Sequence, residues 1–258
     1  MKQADSKPTL KEIFARNQIR LTKWLGSKIP AKWLYKILVS RATIPTQTIF
    51  IEAFKASDPS KTALDIGANR GLVSYFIARR FSRTHSFEPN KNLVSFLRKV
   101  LPSTCTVHDC ALSDVQGKTE LSVVLEAGIP IHGKGKILNA SDSDKDYDVQ
   151  KIQTETLDSQ GISNIGFIKI DVEGHEESVI RGGLKTLEVN KPVLVIEIEK
   201  RHSGKPVKES IAFIESLGYT GYFFENGVKH LASDYREEMQ EPEYPRYIND
   251  FMFLPKAG

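Results

Sequence analysis

Residues 62–81 read TALDIGANRGLVSYFIARRF. Thr62 to Ile66 is a short apolar run of strand type, and Gly71 to Phe81 has the apolar density of a buried helix. The turn between them is Gly67-Ala68-Asn69-Arg70-Gly71. A strand that feeds a buried helix through a glycine turn is the opening unit of an α/β sheet.

The same rhythm continues on both sides of that unit. Thr84 to Phe87 is a second strand, and Leu93, Phe96, Leu97, Val100 and Leu101 form one face of a helix stopped by Pro102. Cys105 to Asp109 is a third strand. Phe167 to Asp171 follows, then a helix carrying Val179, Ile180, Leu184 and Leu187, then the strand Val193 to Ile198. A helix with Val207, Ile211, Ile214 and Leu217 leads to terminal strands near 219–224 and 250–254. Strands alternating with helices predict a doubly wound, mostly parallel sheet.

Residues 113–156 break the alternation. Alternating segments near 119–125 and 149–156 flank the polar stretch AGIPIHGKGKILNASDSDKDYD, which reads as an inserted antiparallel ribbon with a mobile loop. Asp142, Asp144, Asp146 and Asp148 have the spacing of a calcium loop, but Tyr147 stands where glycine is required and Gln153 where the bidentate Glu belongs. Gly133-Lys-Gly-Lys136 lacks a strand-to-helix context and reads as linker or lid rather than phosphate cradle.

The whole chain has 258 residues, 40% hydrophobic and 26% charged, which is ordinary globular composition. Length and pattern divide it into a basic helical extension, 1–48, and one α/β domain, 49–258. Its two cysteines, Cys105 and Cys110, have an odd separation on one strand and face apart, so no bridge is expected and a cytoplasmic location fits. No stretch reaches the roughly 18 apolar residues of a spanning helix, and MKQADSKPTL has no signal core. The sequon at Asn139 is therefore idle.

The net charge of +4 is uneven. Residues 1–44 carry ten Lys/Arg against Asp5 and Glu12, a net +8, leaving −4 for the remainder. Leu10, Ile13, Phe14, Leu21, Trp24 and Leu25 share a helical face, and Pro30 opens a second helix with Trp33, Leu34, Ile37 and Leu38. Residues 10–41 thus suit peripheral contact with an anionic membrane, each basic residue contributing about 1 kcal/mol. Packing on the neighbouring domain or on a sister subunit in a homo-oligomer suits the same face. No nucleic-acid partner is expected, because aromatic stacking platforms and a reading helix are missing.

At the first turn, glycines allow close backbone approach and free helix-start amides favour polar ligands. The spacing is Gly-x-x-x-Gly, without the middle glycine of a dinucleotide fingerprint, which disfavours NAD. Glu88 ends the second strand, where a carboxylate can accept both hydroxyls of a ribose. Asp109 ends the third, where it can accept from an adenine amino group. Asp65, Glu88 and Asp109 at successive strand ends describe an adenosine without pyrophosphate, the profile of S-adenosylmethionine.

LDIGANRGLVS (64–74), FEPNKNLVSFL (87–97), DCALSDVQG (109–117), ETLDS (155–159), FIKIDVEGHEESVIRGG (167–183) and PVLVIEIEK (192–200) together resemble a class I S-adenosylmethionine-dependent methyltransferase, more narrowly the FkbM family. The resemblance implies a seven-stranded Rossmann-like methyltransferase sheet and O-methylation, often of a sugar hydroxyl in a glycan, glycolipid or natural product. It implies that Asp65, Gly67, Ala68, Asn69 and Gly71 line the methionine side of the cofactor, Glu88 its ribose, and Asp109 with Cys110 its adenine. It does not extend to the first 44 residues or to the acidic 133–148 loop.

Methyl transfer needs alignment of acceptor and methyl donor, and a base for the hydroxyl proton adds about 10²–10⁴-fold. Asp171, Glu173 and His175 follow the fourth strand of the main sheet, and Glu197, Glu199 and His202 end or follow the fifth. Asp171 is expected to orient substrate or cofactor and His175 to take the proton, with Glu197 as the further catalytic carboxylate. Asp171 and Glu197 could hold a divalent ion, but spacing fixes no further ligand, so no metal is predicted. Two rival classes stay open: a noncatalytic methyltransferase-like subunit and a nucleotide-dependent oxidoreductase.

Overall fold

A computed structural model describes residue 35 and residues 47–126, 129–137 and 147–256. The chain divides into two compact units, Met1–Ala42 and Thr43–Gly258. Helical Tyr35 is the one described residue of the first. The amphipathic helices expected over 10–41 therefore lie outside the described residues, as do Asn139 and three of the four spaced aspartates, Asp142, Asp144 and Asp146.

The second unit opens with α1 (Thr48–Ala56). The alternation then runs β1 (Thr62–Ile66), α2 (Leu72–Ile77), β2 (Arg83–Phe87), α3 (Lys91–Val100) and β3 (Cys105–His108). After β4 (Ala111–Leu112), β5 (Gly117–Glu126), β6 (Ile129–Ile137) and β7 (Tyr147–Glu155) it resumes with β8 (Ile165–Ile170), α4 (Glu176–Arg181), α5 (Leu184–Asn190) and β9 (Val193–Glu197). The last elements are α6 (Lys200–Ser203), α7 (Val207–Ser216), β10 (Tyr219–Glu225), β11 (Val228–Leu231) and β12 (Asp250–Pro255).

The main sheet has the order β11-β10-β12-β9-β8-β1-β2-β3. β3, β2, β1, β8 and β9 are parallel, and β12 runs antiparallel between β9 and β10. Eight strands thus replace the seven expected, because the hairpin at Asn226-Gly227, both with positive φ, adds β11 at the edge.

Both faces of the sheet are buried, which is why its central strands read as continuous apolar runs. Leu64, Ile66, Ile168, Ile170, Leu194 and Ile196 point to one side, with Val179 and Ile180 of α4 and Val207, Ile211 and Ile214 of α7. Ala63, Phe167, Val193 and Val195 point to the other, with Ile49, Phe50 and Ala53 of α1 and Ile77 of α2. Helices on opposite faces mean that the connections diverge between β1 and β8, and such a switch point opens a crevice at the carboxyl ends of the strands.

Three expectations change. The helix expected to carry both Val179 and Leu187 is two short helices, because Gly182-Gly183 has the poorest helix propensity short of proline. Residues 129–137 form a strand, not a loop, and Gly133–Lys136 lies within it. The result is a four-stranded sheet, β4-β7-β5-β6, rather than a two-stranded ribbon, and the rest of the expected loop, 127–128 and 138–146, lies outside the described residues. A ten-residue β5 paired only with β7 would leave an open edge of backbone donors and acceptors, and β6 satisfies it. Cys110 lies beyond β3 rather than on it; both cysteines are free.

Candidate functional site

The crevice is built where β1, β2, β3 and β8 end. Gly67 and Ala68 N–H groups both donate to the Phe87 carbonyl, at 3.1 and 3.0 Å, and Glu88 N–H donates to the His108 carbonyl at 3.1 Å. Asp171 N–H donates to Ile66 at 3.0 Å, closing the other side. Gly67 has φ +80, and a Cβ there would stand 1.8 Å from the Asp171 carbonyl oxygen. No other residue fits the turn without moving the β8 loop.

Glu88 is buried just past β2. One carboxylate oxygen accepts from Asn69 N–H at 2.7 Å and the other from Asn90 N–H at 2.9 Å. Burial pushes its carboxyl up to about 7 against those two hydrogen bonds. The start of α3 is capped by Asn90, whose side chain accepts from Asn92 N–H at 3.0 Å, so Glu88 is not spent on that role. Each Glu88 oxygen keeps a further lone pair for a hydroxyl donor.

Asp65 is fully buried on the α2 side of β1. Ser74 donates to its Oδ2, and Ser86 donates to Ser74 at 2.9 Å. Its Oδ1 lies 3.5 Å from Lys169 Nζ. Lys169, the penultimate residue of β8, also donates to the Gly67 carbonyl at 3.1 Å and sits 3.2 Å from Asp171 Oδ2. Burial works against its charge, but Asp171, Asp65 and Glu197 outweigh it and raise its pKa. Burial pushes the Asp65 carboxyl up, opposed by Lys169.

Lys169 was not among the candidates, though a lone lysine inside a strand otherwise built of apolar residues signals a buried pair. Asn69 stands at φ 50, and its Oδ1 is buried without a hydrogen-bond partner. An orphaned acceptor beside a glycine turn fits a positively charged amino donor.

The remaining candidates are spread along the same edge. Asp109 is exposed directly after β3, and Cys110 is buried, its thiol pushed up to about 11 by burial and then by Glu155 and Asp109. His175 precedes α4, half-buried, with Nε2 2.9 Å from Ser113 Oγ; burial lowers its pKa against Asp114. Glu197 ends β9 and accepts from Asn249 Nδ2 at 2.6 Å, and the same amide donates to Glu199 at 2.7 Å. Asn249 was also missed, since only the antiparallel return of β12 brings it to this edge. Among the described residues no group of three or more His, Cys, Asp or Glu is arranged to hold a metal ion.

The Methyltransferase FkbM domain matches residues 65–220, from the buried Asp65 to the start of β10. The chain belongs to this family. An FkbM methyltransferase from Methylobacillus flagellatus KT has 16% identity and a TM-score of 0.48, over 92% of this chain and 59% of that one. The chain thus spans under two thirds of that relative's length. An rRNA methylase from Streptococcus thermophilus gives 12% identity and a TM-score of 0.48, over 84% and 98%. A magnesium protoporphyrin IX methyltransferase from Synechocystis PCC 6803, with S-adenosylmethionine bound, gives 10% and 0.44, over 98% and 87%. Among curated proteins none matches this FkbM chain in sequence. No described helix is long and apolar enough to cross a membrane.

Proposed function

We propose that this FkbM-domain protein is an S-adenosylmethionine-dependent O-methyltransferase acting on a hydroxyl, with a sugar of a glycan, glycolipid or natural product as acceptor. The observation that carries the reading is the pair at the glycine turn: Glu88, buried with acceptor capacity to spare, and the orphaned Asn69 Oδ1. Glu88 suits the ribose hydroxyls and Asn69 the amino group. Asp109, one strand further on, suits the adenine edge, with Cys110 beside it. A pyrophosphate finds no second glycine here, which disfavours the oxidoreductase reading.

When bound, S-adenosylmethionine supplies a methyl group on a sulfonium centre. The chain's part is positioning and charge. Lys169 holds Asp171 and Asp65, so the crevice keeps net negative character around Glu88 and Asp109 without forcing adjacent carboxylates to repel. His175, kept neutral near pH 7 by burial, takes the hydroxyl proton on a ring nitrogen, and Asp171 and Glu197 flank the acceptor. The small sheet would hold the acceptor, and a membrane-borne glycolipid suits the net charge of +8 that the sequence places in residues 1–44.

Incubation with S-adenosylmethionine and a panel of sugars and glycolipids, read by mass spectrometry, tests this. The expected result is a mass gain of one methyl replacing one hydrogen on a hydroxylated acceptor. A gain confined to amine or thiol acceptors would overturn the oxygen assignment.

A further inference from the structure

The loop between β8 and α4, Asp171 to His175, touches the cofactor turn at one end and the β9 side of the edge at the other. Its near end is the Asp171 carbonyl, packed against Gly67. Further along, Glu173 and Gly174 have φ 55 and φ 103, two consecutive left-handed residues of which the first is not glycine. Such a residue is strained by about 1–2 kcal/mol, so its surroundings must hold it.

Two carboxylates do so from different directions. Glu176 accepts from Val172 N–H at 3.1 Å and Gly174 N–H at 3.0 Å, holding the loop from within. Glu173 meets Nδ1 of His202, while Nε2 of the same ring lies 3.3 Å from Glu199 Oε2. Glu199 is anchored in turn by Asn249 at 2.7 Å and by Arg201. The backbones are also close: a Cβ on Gly174 would stand 2.7 Å from the His202 carbonyl oxygen. His202 therefore joins the β8 loop to α6.

An imidazole with both nitrogens against carboxylates cannot satisfy both when neutral, because it then carries one N–H; the imidazolium donates to both. We propose that His202 is a positioning residue: as imidazolium it latches the Asp171–Gly174 loop to Glu199, holds that loop against Gly67, and makes cofactor affinity depend on pH. The proposal rests on the cofactor reading given above.

The charged groups facing the ring are Glu173 from the β8 loop, and Glu199 and Arg201 from its own side of the edge. The hydrogen bond with Glu173 raises the His202 pKa most, burial opposes it, Glu173 and Glu199 raise it further, and Arg201 lowers it. The bridge is thus complete at and below the ordinary histidine range and is lost as pH rises through the higher value in the folded protein. Affinity should fall over that upper window.

The full chain, titrated with S-adenosylhomocysteine by calorimetry from about pH 6 to about pH 9, tests the coupling. The expected wild-type binding weakens on the alkaline side, and His202→Gln binds on the order of 5- to 10-fold more weakly at the acid end and lacks the alkaline fall. Glu173→Gln should behave alike and also lower the His202 titration midpoint followed by NMR. A wild-type alkaline fall retained in His202→Gln, or a His202 midpoint indifferent to Glu173→Gln, overturns the latch while leaving the cofactor site intact. Wild-type protein that binds no S-adenosylhomocysteine at any pH instead removes the cofactor reading, and the latch with it.

Discussion

Lys169 Nζ lies 3.1 Å from the carbonyl oxygen of Gly67, so an ammonium from the carboxyl end of β8 holds the glycine turn that follows β1. The same ammonium stands between Asp65 and Asp171, at 3.5 and 3.2 Å. Three ends of the crevice share one buried cation. Lys169→Met leaves the fully buried Asp65 without its counter-charge, and breaking such a pair costs about 3–5 kcal/mol. Urea unfolding should show that loss; a midpoint equal to wild type would contradict the role.

Asn69 allows the site to be separated from the fold. Its Oδ1 has no partner, so Asn69→Gly removes no native hydrogen bond of that atom and keeps a residue at ease at φ 50. Stability should change by less than about 1 kcal/mol, while S-adenosylhomocysteine binding weakens on the order of 10-fold, the effect of one charge-assisted hydrogen bond. Calorimetry and urea unfolding on the same variant check both halves.

Glu88 supplies a pH dependence of cofactor affinity opposite in sign to that of His202, although for both groups stability falls as pH rises. Its carboxyl is raised from 4.5 to about 7 by burial, against the Asn90 and Asn69 N–H groups. Between those values the folded protein holds a proton that the unfolded chain has lost, so stability falls as pH rises, by about 3 kcal/mol across the window. Glu88→Gln should flatten that slope, seen by unfolding at about pH 5 and about pH 8. Ribose hydroxyls donate to the ionised form, so cofactor affinity should rise through the same window and lose that rise in Glu88→Gln.

The parallel sheet and the turn at Gly67 were legible because their signals are local: apolar runs, a glycine spacing, and an acid at the end of each strand. Lys169 required knowing that Asp65, Gly67 and Asp171 meet, contacts made across a hundred residues, although its isolation in an apolar strand was a usable sign. Asn249 reaches Glu197 only because β12 runs antiparallel to β9, a pairing that leaves no mark in residues 245–250. β6 was hidden by its glycines, proline and lysines, residues that weaken a strand pattern even where a long neighbour such as β5 needs an edge partner. The break at Gly182-Gly183 was visible and was overridden by the apolar spacing that spans it.

His175 and its neighbours are tested through the reaction. His175→Ala should lower kcat on the order of 10²-fold with KM for S-adenosylmethionine little changed, since a base acts on the acceptor proton alone. A rise in KM for S-adenosylmethionine with kcat intact would place His175 on the cofactor instead.

The account turns on the crevice between β1 and β8 taking S-adenosylmethionine through the bend at Gly67, where an added Cβ would stand 1.8 Å from the Asp171 oxygen. Isothermal calorimetry of the full chain with S-adenosylhomocysteine and with NAD, repeated on Gly67→Ala, measures this most directly. The prediction is saturable binding of S-adenosylhomocysteine that Gly67→Ala abolishes, and no heat with NAD; binding of NAD, or unaltered S-adenosylhomocysteine binding by Gly67→Ala, would contradict it.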